Sequence, residues 1–211
     1  MAIVKVLLIE DEAFTRSLLS AALTSSLVKV YSGHSAKYAL ETVASENVDV
    51  AVLDLDLGGG PTGIDIAHAL RECKPELGLI LLTTYSDPRL TGSDERTLPV
   101  GTRYITKSTL RNINQLLTVI LQSKSQPLST DKALKASQSE LTDHQVEILR
   151  LIASGSSNSE IAKLHNVSEK AVENTVTRMI EVLEIKKDSG LNPRVQLVRA
   201  FSTLSGNQLP G

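Results

Sequence analysis

The sequence predicts an α/β fold, a doubly wound five-stranded parallel sheet, followed by a small all-helical domain. Three observations carry that prediction. Up to about residue 121, short runs rich in Val, Ile and Leu alternate with stretches of helical periodicity; residues 122 to 138 are polar; beyond them every apolar pattern is helical. The 211 residues exceed one typical domain and fall short of three.

The elements follow in order. The apolar runs are IVKVLLI at 3 to 9, LVKVY at 27 to 31, VDVAVLDL at 48 to 55, LGLILLTTY at 77 to 85 and RYIT at 103 to 106. Between the first four lie AFTRSLLSAAL, SAKYALETVAS and GIDIAHALREC, whose apolar residues recur at three and four. Parallel strands need crossovers, and the crossovers cover the sheet. The segment SDPRLTGSDERTLPVGT, 86 to 102, should hold the fourth helix, yet it has two prolines, two glycines and no helical stripe. It is expected to be irregular, with at most one short turn. QSKSQPLSTDKALKASQ, 122 to 138, reads as a linker. The chain is thus expected to divide into 1–121, a linker 122–138, a helical domain 139–205 and a tail 206–211. The helical domain is carried by LTDHQVEILRLIA, NSEIAKLHN, SEKAVENTVTRMIEVLEI and PRVQLVRAFSTL, and no internal repeat is present.

Composition removes several classes of function. With 41% hydrophobic and 22% charged residues, and no apolar run near the length of about eighteen that a membrane span needs, a globular chain without membrane contact is expected. MAIVKVLLIED is no signal peptide, because Lys5 interrupts its apolar stretch and no small-residue cleavage site follows. The single cysteine, Cys73, excludes an internal disulfide and a cysteine-based metal cluster, and fits a reducing cytosol. The four histidines are scattered singly, with no HxxxH or HxxH pairing, and on spacing alone they read as surface or capping residues.

The strand ends carry the chemistry. Strand 1 ends in Glu10 and Asp11, strand 3 in Asp54, strand 4 in Thr83 and strand 5 in Lys107. In the flavodoxin-like order 2-1-3-4-5, strands 1, 3, 4 and 5 are neighbours about 5 Å apart, so these side chains converge on one rim. Three converging carboxylates repel one another unless a cation sits among them. Mg²⁺ suits such an oxygen set, and with the metal and Lys107 neutralising charge one carboxylate can attack a phosphoryl group and hold it as an aspartyl phosphate. Asp54 stands directly behind AVL in a buried strand, where an uncompensated charge is costly. Asp56, two residues on, is expected to have no side-chain role. Taken singly, each residue has a plain reading: a solvated turn pair, a β-forming threonine, a surface lysine, a core tyrosine.

Together these residues resemble the receiver domains of bacterial two-component response regulators, from about residue 3 to 121. The matching features are the acidic pair after strand 1, the aspartate ending strand 3, the hydroxyl residue ending strand 4, and the lysine after strand 5 with an aromatic three residues before it. The resemblance implies that Asp54 is the phosphoacceptor. It also implies that Glu10, Asp11 and Asp54 bind Mg²⁺, with Asp56 lending its backbone carbonyl. Thr83 and Lys107 would contact the phosphoryl oxygens, and Tyr104 would be the rotating switch aromatic. The chain departs from the pattern at Gly58, where receivers commonly carry proline, and in a GGGPTG loop one residue longer than usual before the turn glycine, Gly63. In this family the fourth helix belongs to the signalling face, so either the output geometry is altered here or another face does the work.

The second unit resembles the LuxR-type helix-turn-helix of the NarL/FixJ class, through SELTDHQVEILRLIASGSSNSEIAKLHNVSEKAVENTVTRMIEVLEI. Asn158 is expected to cap a short helix, Val167 to fill the turn and Ser168 to cap the next helix, 169 to about 185, with Val172, Val176, Met179 and Leu183 on its buried face. The resemblance places Glu173, Asn174 and Thr177 toward the major groove of double-stranded DNA and Lys170 and Arg178 near phosphates. Asn can pair with adenine and Thr can meet a thymine methyl. Glu173 stands where the family usually has lysine, and Thr175 where it usually has histidine. Residues 138 to 205 hold eight Lys plus Arg against nine Asp plus Glu, so a lone copy should bind DNA weakly. An exposed polar face that reads nothing is the plain alternative. In KKDSGLNPRVQLVRAF, a longer bridge than usual, Asn192 and Pro193 restart a helix. Its apolar side, Val195, Leu197, Val198 and Phe201, is expected to serve the core and the family's dimer contact.

The resemblances imply a transcriptional regulator switched by phosphorylation, with a sensor histidine kinase as donor and a homodimer as the active form. Two alternatives stay open: a phosphorylation-independent regulator whose receiver is a dimerisation platform, and an Mg²⁺-dependent phosphohydrolase suggested by LDLDLGG. LDLDLGG superficially resembles the DxD signature of the haloacid dehalogenase superfamily, but that family carries its DxD on the first strand and here the motif is on the third.

Overall fold

A computed structural model describes residues 3–26, 28–91, 98–129, 140–185 and 192–206. The chain forms two compact units, one of Met1–Thr83 with Glu95–Ala136 and one of Thr84–Asp94 with Ser137–Gly211.

The first unit is built on β1 (Val4–Ile9), β2 (Val28–Gly33), β3 (Val50–Leu53), β4 (Gly78–Thr83) and β5 (Arg103–Thr106). All neighbours are parallel and the order is β2-β1-β3-β4-β5, as the sequence predicts. Ile9 lies opposite both Gly33 and Leu53, Leu53 opposite Leu81, and Thr83 opposite Thr106, which brings the carboxyl ends of the strands to one edge. Every residue of β3 and β4 is buried, which is why these strands read as continuous apolar runs and not as alternating ones. On one face Val6, Leu8, Val50, Val52, Ile80, Leu82 and Ile105 pack with Leu23 of α1 (Ala13–Thr24) and with Leu116 and Ile120 of α4 (Ile113–Ser125). The alternate residues, Leu7, Ile9, Ala51, Leu53, Leu79 and Leu81, are buried on the other face. Against that face stand α2 (Ala36–Ser45) and α3 (Gly63–Cys73), capped by Ser35 and by a reciprocal Thr62–Asp65 capping box.

The helix α4 runs through Ser125, into the stretch the sequence presents as linker. Ser123 and the backbone of Gln126 there have a buried partner. Arg103 is buried on β5, and its guanidinium donates to Ser123 Oγ at 3.4 Å and to the Gln126 carbonyl at 3.3 Å. Residues 130–139 lie outside the described residues.

The second unit holds α5 (Asp143–Ala153), α6 (Asn158–Leu164), α7 (Glu169–Val182) and α8 (Pro193–Leu204). Their apolar stripes close on a core that includes Val146, Leu149, Ile161, Val172, Val176, Met179 and Leu197. Two sequence expectations are corrected here. The cap of α6 is Ser157, not Asn158: Ser157 Oγ accepts from the Glu160 amide and the Glu160 carboxylate reaches back to the Ser157 amide, while Asn158 Oδ1 accepts from Arg194. Val167 does not fill the turn; it is 42% exposed, and the turn is made by Asn166 at φ 54° and by the Val167 amide donating to the Ala162 carbonyl. Ser168 caps α7, and Asn192 with Pro193 starts α8, both as expected. Leu197 is buried and Val198 and Phe201 are packed against the core, whereas Val195 is exposed.

Residues following Thr83 belong to this second unit. Where a fourth crossover helix would stand, the described part has a single 3-10 turn, Pro88–Thr91, and residues 92–97 lie outside the described residues. Leu90 joins the helical core, and Arg89 donates to Asp87 at 2.7 Å, to Asp143 at 2.5 Å and to the Leu141 carbonyl at 3.0 Å.

Candidate functional site

The rim of the sheet is fixed by backbone pairing that continues past the strands. The Glu10 amide donates to the Gly33 carbonyl at 3.1 Å and the Asp54 amide to the Ile9 carbonyl at 2.8 Å, so both carboxylates leave from ordered backbone. Lys107, opening the 3-10 turn Lys107–Thr109 after β5, places Nζ 2.7 Å from Glu10 Oε2 and 2.8 Å from Asp54 Oδ2. Glu10, Asp11 and Asp54 each bring an oxygen within 4.8 Å of the others. Four residues from three separate stretches of the sequence thus meet at the strand ends.

Burial sets the electrostatics. The Glu10 carboxyl is pushed up to about 7, first by burial and further by the Asp54 charge, against the hydrogen bond from Lys107. Burial works to lower the Lys107 ammonium, but its bonds to Asp54 and Glu10 outweigh it and the pKa is raised. Were all three carboxyls ionised, one lysine would leave two negative charges, which one divalent cation would neutralise. Glu10 Oε1 is buried without a hydrogen-bond partner, and Asp11 is exposed at the mouth of the rim. An all-oxygen donor set, an orphaned buried oxygen and an open side together fit Mg²⁺.

The loop after Asp54 accounts for the departure at Gly58. Gly58 has φ 77°, which no proline can adopt. A side chain there would meet Asp11 Oδ2 only at 3.7 Å, so the requirement for glycine is one of conformation. Asp56 Oδ1 accepts from the Gly58 amide at 3.1 Å, folding this carboxylate onto its own loop. Gly63 is required by space: a Cβ there would lie 2.0 Å from the Asp54 carbonyl oxygen. Thr83 is fully buried at the end of β4, and Tyr104 is buried on β5 opposite Leu81. Sequence reasoning missed Arg16, whose Nη1 donates to the Glu10 and Asp11 carbonyls at 2.7 and 3.0 Å and so holds the β1–α1 turn. Its signal was an arginine in the second turn's reach of an acidic pair.

In the second unit Lys170, Glu173, Asn174, Thr177 and Arg178 are all exposed on α7, opposite the buried Val172, Val176, Met179 and Ile180, while Leu183 is half-buried at the C-cap. Lys170 Nζ lies 2.9 Å from Glu173 Oε2, so a candidate phosphate contact already has a carboxylate partner. Thr175 and Thr177 donate to the carbonyls of Ala171 and Glu173, both at 3.0 Å.

Comparison with known proteins agrees with both halves. Residues 6–120 match the response regulator receiver domain and residues 139–193 the bacterial regulatory proteins of the luxR family. The chain is 28% identical over 217 residues to the transcriptional regulatory protein TdiR of Thauera aromatica, covering 98% of this chain and 92% of that one. It is 27% identical over 159 residues to the transcriptional regulatory protein DesR of Bacillus subtilis, covering 73% of this chain and 76% of that one. Among solved structures, the RcsB–DNA complex superposes with a TM-score of 0.59 at 19% identity, covering 96% of this chain and all (100%) of that one. RcsB of Salmonella enterica serovar Typhimurium, bound to promoter rprA in the presence of BeF3⁻, gives 0.55 at 20%, covering 95% and 99%. No described helix is long and apolar enough to cross a membrane. A receiver domain joined to a LuxR-type helix-turn-helix places the chain in the response regulators, as a DNA-binding transcriptional regulator switched by phosphorylation.

Proposed function

We propose that Asp54 is the phosphoacceptor and that a sensor histidine kinase is its donor. The observation that carries this reading is Lys107 bridging Asp54 and Glu10, an ammonium held beside a buried carboxylate at the mouth of a metal-fitting rim. An Asp54 oxygen attacks phosphorus, the bond from phosphorus to the donor nitrogen breaks, and that nitrogen leaves with the electron pair. Glu10, Asp11 and Asp54, with the Asp56 carbonyl, are the residues to hold Mg²⁺, whose charge there would shield the carboxylates from incoming phosphoryl oxygens. Lys107 and Thr83 take the phosphoryl oxygens, and Tyr104, next but two to Lys107, is the switch aromatic. The acceptor domain is 1–121 with α4 carrying it on to Ser125, the rest of 122–138 is the linker, 139–205 is the reader and 206–211 a tail. Lys170, Glu173, Asn174, Thr177 and Arg178 are the DNA-contacting set, in a cytoplasmic protein that acts as a homodimer and turns over no substrate of its own.

A second reading, a receiver that serves as a dimerisation platform without phosphorylation, is favoured by one observation: a single 3-10 turn stands in the described part of the segment where the fourth crossover helix belongs. One experiment separates the two. Wild type and Asp54→Ala are treated with a small phosphodonor and Mg²⁺, and intact mass, oligomeric state and DNA binding are followed together. The first reading expects a labile phosphoryl group on wild type alone, with tighter association and DNA binding; phosphoryl uptake by both chains, or by neither, defeats the assignment of Asp54. Uptake without any change in association or DNA binding defeats the coupling.

A further inference from the structure

Two histidines and a glutamate that are scattered in the sequence meet in the second unit. His144 and Glu147 stand one turn apart on α5, and His165 closes α6 as its C-cap. The two imidazole rings are 5.1 Å apart, edge to face, and His165 Nε2 is 3.8 Å from Glu147 Oε1. One ligand atom from each of the three residues lies within 4.8 Å of the other two. His165 Nε2 is buried and has no hydrogen-bond partner.

From this geometry we propose that His144, Glu147 and His165 bind a transition metal ion of the Zn²⁺ class, pinning α5 to the turn that precedes α7. Two imidazole nitrogens and one carboxylate oxygen are a borderline donor set, suited to Zn²⁺ and its neighbours and unsuited to Mg²⁺. The rim of the first unit is the opposite, all carboxylate, so the chain carries two sites of different hardness. A tetrahedral ion with bonds of about 2.1 Å sets its donor atoms about 3.4 Å apart. Closing up from separations of no more than 4.8 Å asks for rotation of His144 and Glu147, which are exposed on α5. His165 is held already, half-buried at the end of α6, with its ring nitrogen facing Glu147 and otherwise unsatisfied. Water completes the fourth position. The consequence is local: His165 leads through Asn166, at φ 54°, to Ser168, the cap of α7. A metal there ties the first helix of the domain to the backbone that aims the recognition helix.

The test uses the full chain, stripped with a chelator and kept in excess Mg²⁺ so that the carboxylate rim is occupied. Zn²⁺ is titrated in competition with a chromophoric chelator, and Co²⁺ is added separately to read coordination from its visible spectrum. The expected result is one Zn²⁺ per chain and an intense four-coordinate Co²⁺ spectrum. Affinity should fall at least about tenfold in His144→Ala, whose far-ultraviolet circular dichroism should match wild type because the residue is exposed. Asp54→Ala should keep the same Zn²⁺ stoichiometry. The proposal is overturned if wild type takes up no Zn²⁺ at micromolar concentration, if His144→Ala binds as tightly as wild type, or if Asp54→Ala loses the ion, which would place it at the rim.

Discussion

Two lysine–carboxylate pairs of nearly equal length sit in very different places. Lys107 is 2.7 Å from Glu10, with side chains 23% and 2% exposed, whereas Lys170 is 2.9 Å from Glu173, with side chains 76% and 52% exposed. The distance does not set the energy. The first pair lies at the end of a buried sheet, where a lone carboxylate has lost its water and the ammonium replaces it; the second lies in solvent, where water already does that work. The receiver rim therefore stores electrostatic strain that a ligand can relieve, and the recognition face stores almost none.

The largest effect is expected from Lys107→Met, which leaves Glu10 and Asp54 beside each other without their shared cation. Breaking a buried pair by removing one partner costs about 3 to 5 kcal/mol. Urea unfolding at pH 8 without Mg²⁺ should show a loss of that order, and Mg²⁺ should restore part of it. The loss should shrink on acidification, because Glu10 can then take a proton. A Lys107→Met protein as stable as wild type at pH 8 would break the contrast between the pairs.

The pH dependence of the wild type comes next. The Glu10 carboxyl sits at about 7 in the folded chain, raised from 4.5 by burial. A group whose folded pKa is raised contributes stability that is fully present below the unfolded pKa and is lost as pH rises through the folded one. Without Mg²⁺ stability should fall as pH rises from about 4.5 to 7, by at most about 3.5 kcal/mol since one pKa unit is about 1.4 kcal/mol, and the melting temperature should fall with it. With Mg²⁺ saturating, the curve should flatten, because the ion prefers the ionised carboxylate that burial disfavours. Glu10→Gln should remove the slope; a slope that survives it belongs to other groups.

The same contrast explains how much was legible in the sequence. Asp54, Glu10 and Lys107 could be found because strand ends are marked by where apolar runs stop, and one sheet order then brings them together. The α4 boundary was hidden because Ser123 is polar for a reason inside the fold, its hydroxyl accepting from the buried Arg103, and not because it faces solvent. At α6 two good capping residues stand side by side, and the deciding sign is Glu160, three residues after Ser157 and not after Asn158. His144 and His165 belong to separate helices, so no spacing rule could join them; the one visible sign was His144 with Glu147 at a single turn's separation. Gly58 and Gly63 look alike in sequence, yet one answers to φ and the other to the Asp54 carbonyl.

On the recognition face the expected effects are smaller and fall on DNA. Asn174 is exposed at the centre of the proposed reading set, and a bidentate pair to adenine discriminates by about 1 to 3 kcal/mol. Asn174→Ala should lower affinity for the specific operator by that amount while leaving affinity for unrelated DNA unchanged, measured by competition titration. Equal loss on both kinds of DNA would make Asn174 a backbone contact.

The smallest stability change is expected from Glu173→Gln, and it is the sharpest test of the comparison because its effect on DNA should be opposite in kind. The Lys170–Glu173 pair is exposed, and such pairs contribute about 0.2 to 1 kcal/mol, so thermal unfolding should hardly move. Removing the carboxylate, however, frees the Lys170 ammonium for phosphate and takes away a charge that phosphate repels. Affinity should rise for specific and unrelated DNA alike, and the slope of log affinity against log salt should steepen by about 1, the release of roughly one more counterion. At the rim, loss of one partner is felt by the fold; on α7, loss of one partner is felt only by the ligand. If Glu173→Gln instead weakens binding to one operator and not to others, Glu173 is accepting from a cytosine amine, and the pair with Lys170 is broken whenever the protein reads DNA.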